Sequence, residues 1–347
     1  MNERWNNRRV LVTGGSGFLG QHLIRGLAQR GARVTVARYP DEPAPAPWPS
    51  GVTGQLCDVR DARRVQQLTQ DVAPEIVFHL AAVGVTEPFI DAEAALEVNV
   101  RGTLNVLQAA RSMHGLRRVI VAGTCYEYGP DSNLDPGNVY AASKVAAWAF
   151  CRMAYRAYGT PVLVARPFNV YGPGQNGHAL IPAAIRAALG SRDFPTTPGE
   201  QRRDFVYVDD LIQGFLALAL AEGIEGQSLD LGTGVATPVR RVVERVFALM
   251  GTKTSGRPQI GALPYRPGIV WELVADAQRT AQRTGWRAQT RLDQGLQYTI
   301  AALSNEALSD EALSDEAPGD TARDETGSTG PGELGSPIRQ AFRESSD

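Results

Sequence analysis

The sequence predicts an α/β fold: a doubly wound parallel sheet with a smaller α/β lobe at the C-terminal side. Three observations carry this reading. Short apolar runs of strand length alternate with helical stretches through residue 166. The first run opens directly into a glycine-rich turn, and beyond Arg166 the alternation gives way to shorter helices broken by glycine and proline. A chain of 347 residues, 43% hydrophobic and 21% charged, can bury a substantial core.

Val10-Leu11-Val12 is a short buried strand, and His22–Arg30 has helical apolar spacing. Between them lies Thr13-Gly14-Gly15-Ser16-Gly17-Phe18-Leu19-Gly20. Gly14, Gly17 and Gly20, three apart at a strand-to-helix turn, permit a tight bend. They also let backbone approach a pyrophosphate resting on the helix N-terminus, so the turn points to a dinucleotide. Arg33–Ala37 is a second strand ending at Arg38, and residues 40–51 are a proline-rich connection. Val52–Cys57 is a third strand, followed by Asp58 and a helix over Asp61–Asp71. Ile76–Ala82 is a fourth strand running into a turn of small residues, and a long helical stretch covers Ala92–Met113. Arg118–Ala122 is a fifth strand, Asn138–Tyr158 a long amphipathic helix and Val162–Ala165 a sixth strand.

These elements divide the chain into a dinucleotide-binding domain, 1–166, and a lobe, 167–303, some of whose segments return to the sheet. Such a lobe would close over the C-terminal edge of the sheet, where ligands of these folds bind. Residues 304–347 differ in kind, with Ala-Leu-Ser-Asp-Glu at Ala307–Glu311 and again at Ala312–Glu316. A tract so rich in Ser, Gly, Asp and Glu predicts a disordered acidic tail. It holds 11 acids and 3 basic residues from 301 onward, so the net charge of −2 conceals a body with 32 basic against 26 acidic residues. That modest positive balance suits small anionic ligands and is too scattered for nucleic acid.

Cys57, Cys125 and Cys151 are widely spaced and odd in number. This argues against a disulfide framework or a zinc site and fits a reducing compartment. The N-terminus lacks an apolar signal core and no stretch is apolar enough to span a membrane, so a cytoplasmic protein with no membrane partner is expected.

Tyr140 and Lys144 stand four apart at the start of a helix and project from one face. An ammonium near a phenol favours the phenolate, which predicts a lowered tyrosine pKa and a usable acid or base near neutral pH. Thr124, just after the fifth strand, lies at the same sheet edge, where its hydroxyl could share a substrate oxygen with the phenol.

With these residues in place, Thr13–Gly20, His79-Leu80-Ala81-Ala82, Asn99, Thr124, Tyr140 and Lys144 resemble the extended short-chain dehydrogenase/reductase family. This family contains NAD-dependent nucleotide-sugar epimerases, dehydratases and ketoreductases built on a Rossmann-type sheet. Arg166–Pro173, Arg203–Asp210, Arg266-Pro267-Gly268 and Gly285-Trp286 extend the resemblance over roughly residues 8–300. The resemblance implies that Tyr140 exchanges a proton with a sugar oxygen, that Thr124 hydrogen-bonds the same oxygen, and that Lys144 holds the nicotinamide ribose. It implies a cofactor site of Gly14, Gly17, Phe18, Leu19, Gly20, Arg38, Asp58, Val59, Leu80, Ala81, Ala82 and Asn99 together with Tyr140 and Lys144. Asp58 would accept from the adenine amino group. Cys125, Tyr126, Asn169, Arg203 and Arg266 would meet a nucleoside-diphosphate sugar, arginine suiting its phosphates through forked donors. No metal is implied. A homodimer through Ala92–Met113 and Asn138–Tyr158 is.

Two departures from the family narrow the activity. The 4,6-dehydratases carry Asp-Glu after the threonine, where this chain has Cys125-Tyr126; Glu127 comes one residue late and should point away. The form Thr-Cys-Tyr-Glu-Tyr-Gly is similar to reductases of 4-keto-6-deoxy sugars, enzymes of deoxysugar biosynthesis. Arg38 stands where NAD-specific members place an acid for the ribose hydroxyls, and an arginine there can meet the 2′-phosphate of NADP. The leading expectation is an NADPH-dependent ketoreductase. The alternatives are a nucleotide-sugar 4-epimerase with bound NAD and, more remotely, a non-catalytic dinucleotide-binding protein.

Overall fold

The computed structural model describes residues 4–41, 48–86, 90–130, 133–266 and 268–315. β1 (Arg9–Thr13) leads through the glycine turn into α1 (Phe18–Ala28), followed by β2 (Arg33–Arg38), β3 (Val52–Leu56), α2 (Ala62–Val72) and β4 (Ile76–His79). The helical stretch after β4 comprises α3 (Ala92–Ala95), a π-helical turn (Leu96–Arg101) and α4 (Gly102–Ala110). Then come β5 (Arg118–Ala122), α5 (Val139–Tyr158) and β6 (Val162–Pro167). The later part supplies β7 (Asn169–Tyr171), α6 (Leu180–Leu189), β8 (Phe194–Thr196), β9 (Arg202–Arg203), β10 (Phe205–Tyr207), α7 (Val208–Leu220) and β11 (Ser228–Leu231). It ends with β12 (Thr237–Pro238), α8 (Val239–Met250), β13 (Pro258–Ile260), β14 (Glu272–Leu273), α9 (Ala277–Thr284) and α10 (Leu292–Asp315).

Seven strands form one sheet in the order β11-β6-β5-β4-β1-β2-β3, and every neighbouring pair is parallel. Sequence direction reverses between β1 and β4, which places the switch point beside the glycine turn. A parallel sheet covered on both faces must be apolar on both, and β1 shows how. Val10 and Val12 enter one core with Leu23, Phe78 and Phe215, while Leu11 enters the other with Val65, Val106 and Cys151. A third core joins α6 to α8 through Ile185, Val243 and Phe247. The expected boundary at 166 falls inside β6, Met1–Glu306 forms one compact unit, and β11 carries later sequence back to the sheet.

The helical stretch expected over Ala92–Met113 contains a π-helical turn at Leu96–Arg101, and its α-helix stops at Ala110. One expectation needs correction. The tail does not become structureless at 304. α10 runs through the first Ala-Leu-Ser-Asp-Glu unit to Asp315, since alanine, leucine and glutamate are strong helix formers despite the polarity around them. Residues 316–347 lie outside the described residues.

Candidate active site

The glycine turn is fixed by contacts that only glycine allows. Gly14 has φ +70°, and a Cβ there would sit 2.6 Å from the Ala81 amide nitrogen. A Cβ on Gly20 would strike the Gly14 carbonyl. Gly17 differs: it is exposed, its backbone is extended, and it caps α1 without any side-chain hydrogen bond. The first N–H groups of α1 therefore have no side-chain cap, which is the condition for holding a phosphate. Phe18 and Leu19 follow half-buried, and Leu80, Ala81 and Ala82 are half-buried across the switch point. This cradle fits a dinucleotide.

Farther along the edge, Arg38 closes β2 half-buried, its Cδ 3.0 Å from where a Gly54 Cβ would stand. Asp58 is held by its own loop. Arg60 donates to it through the backbone N–H (2.9 Å), Nε (2.9 Å) and NH2 (2.7 Å), and this pairing draws its carboxyl below the usual range. Asp61 caps α2 by accepting from the Arg63 and Arg64 amides. Val59 is buried, and its carbonyl accepts from Asn105. The carboxamide of Asn99 is fully engaged: Oδ1 accepts from the Val83 amide, while Nδ2 donates to the Val83 carbonyl and the Ser143 hydroxyl.

Thr124, Tyr140 and Lys144 come together at the C-terminal edge of β5, all at least nine-tenths buried. Asn138 caps α5 by accepting from the Ala141 amide, which sets the register of the helix that carries the tyrosine and lysine. Lys144 Nζ donates to the Ala122 carbonyl at 2.9 Å and lies 5.8 Å from the Tyr140 ring centre. Burial lowers its pKa to about 8, against the upward pull of Glu127. The Tyr140 phenol is shifted the opposite way from the expectation. Burial pushes it above the tyrosine range, Cys125 and Glu127 add to that, and the hydrogen bond with Thr124 opposes it. Desolvating a phenolate here outweighs any help from the lysine, so the phenol is held protonated.

Both carboxylate oxygens of Glu127 are engaged within the protein. Its Oε1 accepts from the Thr124 amide at 2.9 Å, completing a capping box around the short turn Cys125–Glu127. Its Oε2 receives Arg166 Nε at 2.7 Å, and both side chains are buried. The Thr-x-x-Glu spacing was the signal in the sequence for this brace. Arg166 also donates to the Tyr128 hydroxyl, which in turn donates to Asp230 at 2.9 Å.

Cys125 is buried, and burial raises its thiol to about 12, so the group is neutral. Asn169 Nδ2 donates to the Tyr126 hydroxyl at 3.2 Å, and Asn169 Oδ1 lies 4.0 Å from the Cys125 sulfur. Arg203 is 8% exposed, bonds only a neighbouring carbonyl, and forms no ion pair among the described residues. Burial lowers its pKa, while the acidic groups of Tyr126 and Cys125 act in the other direction. A guanidinium so placed is a ready anion receptor. Arg266 is exposed in the loop between β13 and β14.

A glycine cradle at a switch point beside a buried threonine, tyrosine and lysine defines a dinucleotide-dependent enzyme of the short-chain dehydrogenase/reductase class. Residues 10–232 match the NAD dependent epimerase/dehydratase family, to which the chain belongs. The chain is 31% identical to UDP-N-acetyl-alpha-D-glucosaminuronate decarboxylase of Bacillus cytotoxicus over 84% of its own length and 97% of that protein's. It is also 31% identical to a UDP-glucose 4-epimerase of Rhizobium meliloti, covering 87% of this chain and 96% of the relative. The crystal structure of Thermus thermophilus UDP-glucose 4-epimerase in complex with NAD superposes with a TM-score of 0.73 at 29% identity, covering 85% of this chain and 99% of that one.

Proposed function

We propose that the protein reduces a nucleoside-diphosphate 4-keto-6-deoxyhexose to the 4-hydroxy sugar, using NADPH. The observation that carries this reading is the set of side chains around Tyr140. A phenol held protonated by burial is a proton donor at neutral pH, and Thr124 lies beside it. The nearby acid, Glu127, is turned onto Arg166 and the Thr124 amide. Cys125 and Tyr126 offer no carboxylate for a second proton abstraction. Such a site suits one hydride and one proton at a single carbon better than elimination of water.

When bound, the nicotinamide dinucleotide supplies the hydride. Tyr140 gives its proton to the oxygen of the reacting carbon, and Thr124 orients that oxygen. Lys144, fixed by the Ala122 carbonyl, holds ribose hydroxyls beside the tyrosine. Arg203, Asn169 and Arg266 take the diphosphate of the sugar nucleotide, and Cys125 and Tyr126 face the sugar. Gly14, Gly17, Phe18, Leu19 and Gly20 receive the dinucleotide pyrophosphate, Arg38 the 2′-phosphate, and Asp58 and Val59 the adenine. Leu80, Ala81, Ala82 and Asn99 complete the cofactor site. The protein is assigned to the cytoplasm, and the exposed Leu96, Met153, Tyr155 and Tyr158 support a homodimer through the helices of 92–113 and 138–158; light scattering showing a monomer at micromolar concentration would remove the dimer.

A second reading is an NAD-dependent nucleotide-sugar 4-epimerase, which the likeness to 4-epimerases favours. Supplying NADPH with a nucleoside-diphosphate 4-keto-6-deoxyhexose separates the two. Stoichiometric NADPH consumption with formation of the 4-hydroxy sugar supports the reductase. Interconversion of 4-epimers without net dinucleotide turnover establishes the epimerase instead.

A further inference from the structure

His79, the last residue of β4, is 2% exposed, and both ring nitrogens have partners. The direction of each hydrogen bond follows from its neighbours. Thr103 Oγ1 lies 2.6 Å from the Asn99 carbonyl, which can only accept, so the threonine proton goes there. Thr103 Oγ1 must then accept from His79 Nε2 at 3.1 Å, and Nε2 carries the ring proton. Burial first, and the Lys144 ammonium second, hold the imidazole pKa down to about 3, so the ring is neutral and Nδ1 accepts. Thr13 Oγ1 donates to Nδ1 at 2.8 Å and itself accepts from the Ala81 amide at 3.2 Å. One polarised chain thus runs from the Ala81 amide through Thr13, His79 and Thr103 to the Asn99 carbonyl.

The chain ends at functional elements on both sides. Thr13 is the residue before Gly14, and Ala81 is the backbone against which Gly14 is packed. Asn99 sits in the π-helical turn, an insertion often kept at working sites, and its Nδ2 donates to Ser143 Oγ at 2.9 Å. Ser143 donates to the Tyr140 carbonyl at 2.7 Å, and it is the residue before Lys144.

We infer that His79 is a positioning residue: through Thr103, Asn99 and Ser143 it fixes the first turn of α5, and hence Tyr140 and Lys144, against the glycine turn. The catalytic consequence rests on the proton-transfer role proposed above for Tyr140. The geometric consequence does not. The polarity of the ring makes the two sides separable, because Nε2–H serves the α5 side and Nδ1 the glycine-turn side.

The test uses the full chain in three variants. Thr103→Val removes the acceptor of Nε2, and His79→Gln keeps an N–H that can reach Thr103. Thr299→Val is a matched control, a buried hydroxyl that likewise donates to the carbonyl four residues earlier. Amide hydrogen exchange over residues 139–144 and dinucleotide affinity by tryptophan fluorescence are read without any sugar; turnover is read separately. Thr103→Val is expected to speed exchange in that turn about tenfold, to lower kcat about tenfold and, since Asn99 and Lys144 belong to the proposed cofactor site, to raise dinucleotide Kd severalfold. His79→Gln should retain most of the parent kcat, and Thr299→Val should change neither exchange nor kcat. Parent-like exchange in Thr103→Val, or an equal effect in Thr299→Val, would overturn the inference. Failure of the parent protein to turn over any 4-keto sugar would count against the proposed reaction, while the exchange result would still decide the role of His79.

Discussion

The dinucleotide half and the substrate end of the site treat their polar groups in opposite ways. Around Tyr140, buried polar atoms are tied to one another: Glu127 to Arg166 and to the Thr124 amide, His79 to Thr13 and Thr103, Asn99 to Val83 and Ser143. At the proposed substrate end, Arg203 is as buried as Thr124 yet meets no acid among the described residues, and Arg266 is open to solvent. Internal satisfaction makes the first region rigid, and a buried unpaired cation makes the second receptive to anions. Mutation should therefore separate geometry and stability on one side from ligand affinity on the other.

The largest effect belongs to the reacting group itself. Tyr140→Phe should reduce turnover on the order of a thousandfold while the protein still binds dinucleotide. Unchanged turnover would remove the tyrosine from the mechanism. Next comes the brace. Glu127→Ala leaves Arg166 buried without its partner and should destabilise the fold by about 3–5 kcal/mol in urea unfolding; a loss below about 1 kcal/mol would mean that the pair braces nothing.

Lys144 gives a pH signature of the same region. Its folded pKa of about 8 lies below the ordinary 10.5, so between those values the unfolded chain binds more protons than the native one. Its contribution to stability is present above pH 10.5 and is lost as pH falls through 8. The gain across that window should be about 3 kcal/mol at most. Lys144→Met should flatten that rise, and an unaltered slope between the parent and the variant would contradict the assigned burial effect.

On the substrate side the effects should be smaller and confined to affinity. Arg203→Met should raise KM for the sugar nucleotide roughly thirtyfold, equivalent to about 2 kcal/mol, with kcat little changed. A fall in kcat at constant KM would place Arg203 with the rigid region instead. Smallest of all, Arg38→Ser should weaken NADPH about tenfold with little effect on NADH, read by fluorescence titration.

The same contrast explains what could be read from the chain alone. The strands were legible because a sheet covered on both faces demands apolar runs such as Val10–Val12 and Val119–Val121. Gly14 and Gly20 were legible because their packing tolerates no side chain. The Thr124–Glu127 brace could be read from its capping-box spacing. The His79 chain could not, because its contacts join residues 66 and 24 apart, which meet only once β1 lies beside β4 and α4 packs back on the sheet. The direction of the Tyr140 shift was equally out of reach, since it depends on how far burial outweighs the lysine. The π-helical turn at Leu96–Arg101 was hidden because residue preferences mark a stretch as helical without telling an i→i+5 turn from an i→i+4 one.

The most direct test of the reductase reading is to denature the purified protein, identify any dinucleotide released, and titrate the stripped chain with NADPH and NADH. Little released dinucleotide and a clear preference for NADPH are the predicted result. Stoichiometric, tightly held NAD would contradict both the reductase and the role given to Arg38, and would make the 4-epimerase the activity to assay.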